Sequence, residues 1–280
     1  MKKTLTSRLY RVLSRSLALC LLLVNCNLLA AAQRVISLSP STTELAYAAG
    51  MGEQMVAASS YSDYPAAAQQ LERVADHRGI NVERILLLKP DLVLAWKGGN
   101  PTRPLQQLEQ LGIPVFYADP RRLDDLAREL DQLAAYSAHP DEARANAQAL
   151  RQQFSTLQHT YQRQTPIPVF IQYGTQAMFT PGVDTLQSQI VSLCGGKNIF
   201  ADSGLSWPKI SREQVLLRKP HAIIVPGNAE TVAEVRRYWQ GMLDVPVIAV
   251  EESLLSRSGP RMLQGAQHIC TALAKLSPAS

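Results

Sequence analysis

Two glutamates open the same phrase in different halves of the 280-residue chain. Glu83 begins Glu83-Arg-Ile-Leu-Leu-Leu-Lys-Pro-Asp-Leu-Val-Leu-Ala-Trp96, and Glu213 begins Glu213-Gln-Val-Leu-Leu-Arg-Lys-Pro-His-Ala-Ile-Ile-Val-Pro226, a shift of 213 less 83, or 130 positions. A carboxylate in the first turn of a helix gains about 0.3–1 kcal/mol from the positive helix terminus, which would explain either residue alone. Its return in both copies makes Glu83 and Glu213 candidates for a matched contact surface. Residues for covalent or metal chemistry show no such organisation. The sequence has no Gly-x-Ser-x-Gly elbow, no glycine-rich phosphate loop and no His-Glu-x-x-His. Its five histidines, His77, His139, His159, His221 and His268, are scattered rather than set at zinc-ligand spacing. Neither an enzyme nor a resident metal or cofactor is expected.

The first 32 residues read as a cleaved export signal. Lys2, Lys3, Arg8, Arg11 and Arg15 form a positive start, Leu17 to Leu29 is mostly apolar, and Ala30-Ala31-Ala32 supplies a cleavage site before Gln33. The apolar run is short for a membrane span and is interrupted by Asn25 and Asn27. A lipid anchor on Cys20 or Cys26 would need a small residue just before it, where Leu19 and Asn25 stand. Cleavage removes five bases and no acids, so 28 basic residues become 23, equal to the 23 acidic ones. The basic pI of the whole chain is therefore no argument for nucleic acid. Of the four cysteines, Cys194 and Cys270 remain. In an oxidising compartment the simplest arrangement is one disulfide closing a loop of about 76 residues, worth on the order of 4 kcal/mol. Two buried free thiols are the alternative.

Two similar α/β halves must position these residues. Arg34 to Ser39 reads as a strand, Pro40-Ser-Thr-Thr-Glu44 as a capped helix start, and Gln54 to Ser59 as a second strand. Tyr61-Ser-Asp-Tyr-Pro65 then forms a polar, aromatic loop at a sheet edge that commonly holds ligands. Each copy of the repeated phrase reads as a short helix, a Lys-Pro break and a wholly apolar strand suited to a parallel sheet covered on both faces. Leu111-Gly-Ile-Pro-Val-Phe116 and Leu243-Asp-Val-Pro-Val-Ile248 are a further echo. Between them, apolar residues from Ala147 to Tyr161 recur at three- and four-residue steps, predicting one helix of about 24 residues and 36 Å, with Asp141 as a plausible cap. The expected organisation is an N-terminal lobe over 33–138, a connecting helix over 139–165 and a C-terminal lobe over 166–280. Both lobes are Rossmann-like with mostly parallel sheets, and a ligand cleft lies between them.

Several longer motifs are more specific. Val35-Ile-Ser-Leu-Ser-Pro-Ser-Thr-Thr-Glu-Leu45, Ser60-Tyr-Ser-Asp-Tyr-Pro65, Lys89-Pro-Asp-Leu-Val-Leu-Ala-Trp-Lys-Gly-Gly-Asn100, Cys194-Gly-Gly-Lys-Asn-Ile-Phe200 and Trp207-Pro-Lys-Ile-Ser-Arg-Glu-Gln-Val215 resemble the periplasmic vitamin B12-binding proteins. These belong to the helix-linked substrate-binding proteins of ABC importers. The resemblance covers essentially the whole mature chain. It implies a protein, monomeric when free, that captures cobalamin in the periplasm and delivers it to a permease dimer with ATPase subunits.

Carried over residue by residue, the resemblance implies ligand contacts at Tyr61, Tyr173, Phe179, Trp207 and Arg257. It also marks two departures within the same site, His77 in place of a tryptophan and Ser253-Leu254-Leu255-Ser256 in place of acidic and aromatic residues. A corrin is flat, large and fringed with amides, so aromatic faces would cover its plane and polar groups bond its rim. Glu83 and Glu213 would dock onto the twofold permease. Haem or a ferric siderophore is the alternative ligand within the same class, because Tyr61 or His77 offers an axial group.

Overall fold

The structure, a computed structural model, describes residues 31–276; nearly all of the expected export signal lies outside that range. Its first strand, Val35–Ser37 (β1), has no wet face: all three residues are buried. Ser39 turns the chain into the helix Pro40–Ala48 (α1) through a capping box with Thr42, and Pro40 occupies the first turn, where a missing N–H is tolerated. There follow Met55–Ser59 (β2), Glu72–Asp76 (β3), Gly79–Ile80 (β4), Val82–Leu88 (α2), Leu92–Trp96 (β5), Thr102–Gln110 (α3), Val115–Ala118 (β6) and Leu123–Leu133 (α4). The strands form one sheet in the order β4-β3-β2-β1-β5-β6, parallel except for the β3–β4 hairpin. That hairpin is too short to announce itself by alternation, and its turn is fixed by Asp76, whose carboxylate accepts from the Arg78 backbone at 2.8 Å.

A long helix, Pro140–Tyr161 (α5), leads into the second half. Ile167–Ile171 (β7), Leu186–Leu193 (α6), Gly196–Asn198 (β8), Arg212–Arg218 (α7), Ala222–Pro226 (β9), Ala229–Trp239 (α8), Val247–Val250 (β10), Glu252–Ser256 (α9) and Met262–Ala274 (α10) complete the chain. These four strands are all parallel, in the order β10-β9-β7-β8. The fold is therefore α/β with two mostly parallel sheets, as the residue patterns predict. In each sheet the strand order reverses beside the first strand, β1 or β7, so crevices open at their carboxyl ends.

The helix α5 has 22 residues, two fewer than expected, and its start differs. His139 stands at the N-cap without a side-chain bond and Pro140 fills the first turn, so Asp141 caps nothing and instead pairs with Arg144 at 3.0 Å. Ala143, Ala147, Leu150 and Phe154 make a buried stripe on α5. The stripe joins Leu126 and Leu130 of α4, Ile269 and Leu273 of α10, Val35 of the first sheet and Val169 of the second in one continuous core. At about 1.5–3 kcal/mol for each fully buried aliphatic side chain, such a core resists any large rotation of one sheet against the other. A Cys194–Cys270 disulfide ties the end of α6 to α10 within the same layer, so the free-thiol alternative falls.

Candidate functional site

The strand β5 ends on Trp96, which is 45% exposed although the four preceding residues are buried. The turn after it fixes the indole. Asn100 accepts from the Trp96 backbone N–H at 2.7 Å and donates to the Leu38 carbonyl at 2.9 Å. The ring also lies over Gly99, where a Cβ would come within 1.9 Å of it, so only glycine allows this placement.

The second half supplies a group of three aromatics. Tyr173 and Phe179 exchange both backbone hydrogen bonds at 2.9 Å, and Phe179 bridges Lys209 on its other side. This small ladder sets Trp207 edge-on to Tyr173, with centroids 5.0 Å apart and planes at 88°. Phe179 and Trp207 remain substantially exposed, Trp207 at 44%. A cleft of about 360 Å³ is lined by Trp96, Lys97, Asp119 and Arg121 from the first half and by Gln187, Trp207 and Ser256 from the second. Burial pushes the Tyr173 phenol up to about 12, against the opposing pull of Ser256 and Gln187 beside its shielded hydroxyl.

Charge on the first wall is ordered by Asp119, which pairs with Arg121 at 2.7 Å and Lys97 at 3.3 Å. Burial opposes ionisation there, but the two cations hold the carboxyl below the ordinary carboxylate range. Beneath it, Glu129 accepts from the Asp119 backbone N–H at 2.8 Å and so anchors the loop that follows β6. Glu129 is itself buried, and that burial, with Asp125 and Asp119 nearby, lifts its carboxyl to about 7.

Arg257 clasps the two halves together. Its guanidinium reaches Glu44 at 2.9 Å, Asp63 at 2.6 Å and the Tyr61 carbonyl at 3.3 Å. Arg261 reaches Glu44 at 3.1 Å and lies 4.0 Å over the Tyr64 ring. Hydrogen bonding to Arg257 lowers the Asp63 pKa, whereas burial raises that of Glu44 against the pull of both arginines. Tyr61, 75% exposed, is held in the left-handed region at φ 64° on the rim of this network.

The structure thus brings Tyr173, Phe179 and Trp207 together, and Ser256 beside them. Arg257 is engaged between the halves, and Tyr61 stands at the rim. His77 is exposed at the β3–β4 turn and does not line the cleft. Within the stretch before Arg257, Ser253 bonds Glu251, while Leu255 is 1% exposed in the core and Leu254 packs against that core. The two leucines therefore face the fold rather than the cleft. Glu83 and Glu213 are exposed on α2 and α7. Trp96, Gln187 and Arg121 line the cleft but lie outside the candidate ligand residues that the sequence offers. An aromatic residue ending an apolar strand just before a Gly-Gly turn was a signal for the first; the other two carry none.

The sequence pattern of the periplasmic binding protein family matches residues 35–237. The chain is 56% identical over 246 residues to the vitamin B12-binding protein of Yersinia pestis, covering 88% of both chains. Among solved structures it resembles the periplasmic vitamin B12 binding protein BtuF of Vibrio cholerae, with a TM-score of 0.80, 41% identity and coverage of 88% of this chain and 98% of that one. The periplasmic heme binding protein HutB of the same organism is similar at a TM-score of 0.73 and 26% identity, over 86% and 98%.

Proposed function

This chain belongs to the periplasmic binding protein family, whose members bind solutes rather than transform them, and we propose that it captures vitamin B12 and delivers it to an ABC importer. The observation that carries the reading is the pair of half-exposed indoles, Trp96 and Trp207, on opposite walls of one cleft. They offer two apolar faces to a flat macrocycle, with Tyr173 and Phe179 enlarging the second face. The amide rim of a corrin finds donors and acceptors in Gln187, Ser256 and the Tyr173 hydroxyl beside them. Tyr61 and the engaged Arg257 close the rim, and His77, Ser253, Leu254 and Leu255 act outside the first contact layer. The lobes are residues 33–138 and 166–280, joined through 139–165, and export follows cleavage before Gln33.

Delivery uses Glu83 and Glu213. A twofold permease presents the same basic pocket twice, and one exposed carboxylate on each half meets it. Titration of the purified protein with cyanocobalamin and, separately, haemin, followed by visible absorption, tests the ligand. Saturable perturbation of the corrin bands is expected; a Soret shift with haemin and no response to cyanocobalamin would transfer the protein to the haem binders. Charge reversal at both Glu83 and Glu213 is expected to leave cobalamin binding intact and abolish stimulation of importer ATPase.

A further inference from the structure

The helices α2 and α7 repeat more than a glutamate. Each has seven residues and only one buried side chain, Ile85 or Val215. Each is closed by a lysine in the left-handed conformation, Lys89 at φ 47° and Lys219 at φ 46°. Held by one anchor, each helix turns its opposite side outward, leaving Leu87 70% and Leu217 79% exposed. Single exposed apolar residues are ordinary. Two outward leucines at corresponding positions of the two halves, each four residues after the repeated glutamate, answer no need of folding. The i, i+4 spacing puts Glu83 beside Leu87 and Glu213 beside Leu217 on one helix face.

We propose that Leu87 and Leu217 are apolar knobs of the importer-docking surface, each seated in a recess of the membrane-subunit dimer next to the basic group that receives the neighbouring glutamate. The proposal rests on the docking role given above to Glu83 and Glu213. The charge around the leucines favours this occupant. Arg84 is drawn to Glu72 and Arg218 to Asp202, so these two cations on the helices have acidic partners of their own. A second copy of this chain would set glutamate against glutamate, and an anionic lipid surface would repel both. A twofold partner with paired basic and apolar sockets fits each half alike. In this arrangement the ion pairs set encounter rate and register and weaken with salt, while the leucines supply an attraction that salt does not screen.

The test compares L87S/L217S, L87M/L217M and E83K/E213K by affinity for the importer complex in nanodiscs, at low and high salt. The serine pair should weaken docking roughly 100-fold at both salt levels, about tenfold per leucine. The methionine pair should dock near the native level, and cobalamin binding should be unchanged in all variants. Native docking by the serine pair, with loss in the glutamate pair, overturns the leucine role while leaving the docking reading intact. Native docking by both overturns the two together. Self-association that the serine pair abolishes, without a change in docking, would show that a second copy covers the leucines and would also overturn the proposal.

Discussion

Replacing Glu129 by glutamine should remove a pH dependence built into the wall of the cleft. The carboxyl sits at about 7 in the folded chain against an ordinary 4.5, with burial the main cause. At 1.36 kcal/mol per pH unit that gap is worth about 3 kcal/mol. The folded state binds this proton more tightly than the unfolded state. The contribution is therefore fully present below pH of about 4.5 and is lost as pH rises through about 7. The negative charges of Asp125 and Asp119 reinforce the effect, while the Asp119 backbone N–H and, more weakly, Arg128 oppose it. The glutamine keeps an acceptor for the Asp119 backbone N–H and carries no charge. Urea unfolding of both proteins between acidic and mildly alkaline pH should therefore show native stability falling relative to the variant by about 3 kcal/mol, most of it before pH of about 8. Parallel stability curves for the two proteins would refute the reasoning.

Three further outcomes follow from the geometry. Serine at both Cys194 and Cys270 opens a loop with a sequence separation of 76 residues. The loop-entropy relation gives a loss of about 4.5 kcal/mol, seen in a protein of this size as a melting temperature lower by roughly 9–18 °C in calorimetry. Arg257→Ala leaves the buried Glu44 with Arg261 alone and should cost about 3 kcal/mol in denaturant unfolding, with Arg257→Lys recovering only part because it cannot fork between Glu44 and Asp63. Gly99→Ala should leave melting nearly unchanged, since the Trp96 ring can swing aside, yet weaken cobalamin binding about tenfold by displacing that face of the cleft. Fluorescence quenching by the ligand reads the last effect.

The repeated phrase made much of this fold legible. Its Lys-Pro break and apolar run specify a short helix and a buried strand, and both copies form them, down to the left-handed lysines. The α5 stripe was equally readable because Ala147, Leu150 and Phe154 follow helical spacing. What escaped depends on contacts distant in sequence. The Glu44–Arg257 clasp joins residues 213 positions apart, and no local pattern foretells it. Leu254 and Leu255 carry the same mark as ligand residues when aligned by motif, but a one-turn helix directs Leu255 into the core. Trp96 ended an apolar run and so resembled a core residue. Only the strand's termination at the sheet edge, and the glycine beneath the ring, make it a surface for a ligand.

The central claim is that two indoles on opposing walls bind a corrin. Isothermal calorimetry of cyanocobalamin with the native chain and with W96A/W207A tests it most directly. Native protein should bind one equivalent, and the double variant, folded to the same circular dichroism and melting temperature, should lose roughly 100-fold in affinity, about 1–2 kcal/mol for each ring face removed. Equal affinity in the two proteins would contradict the account.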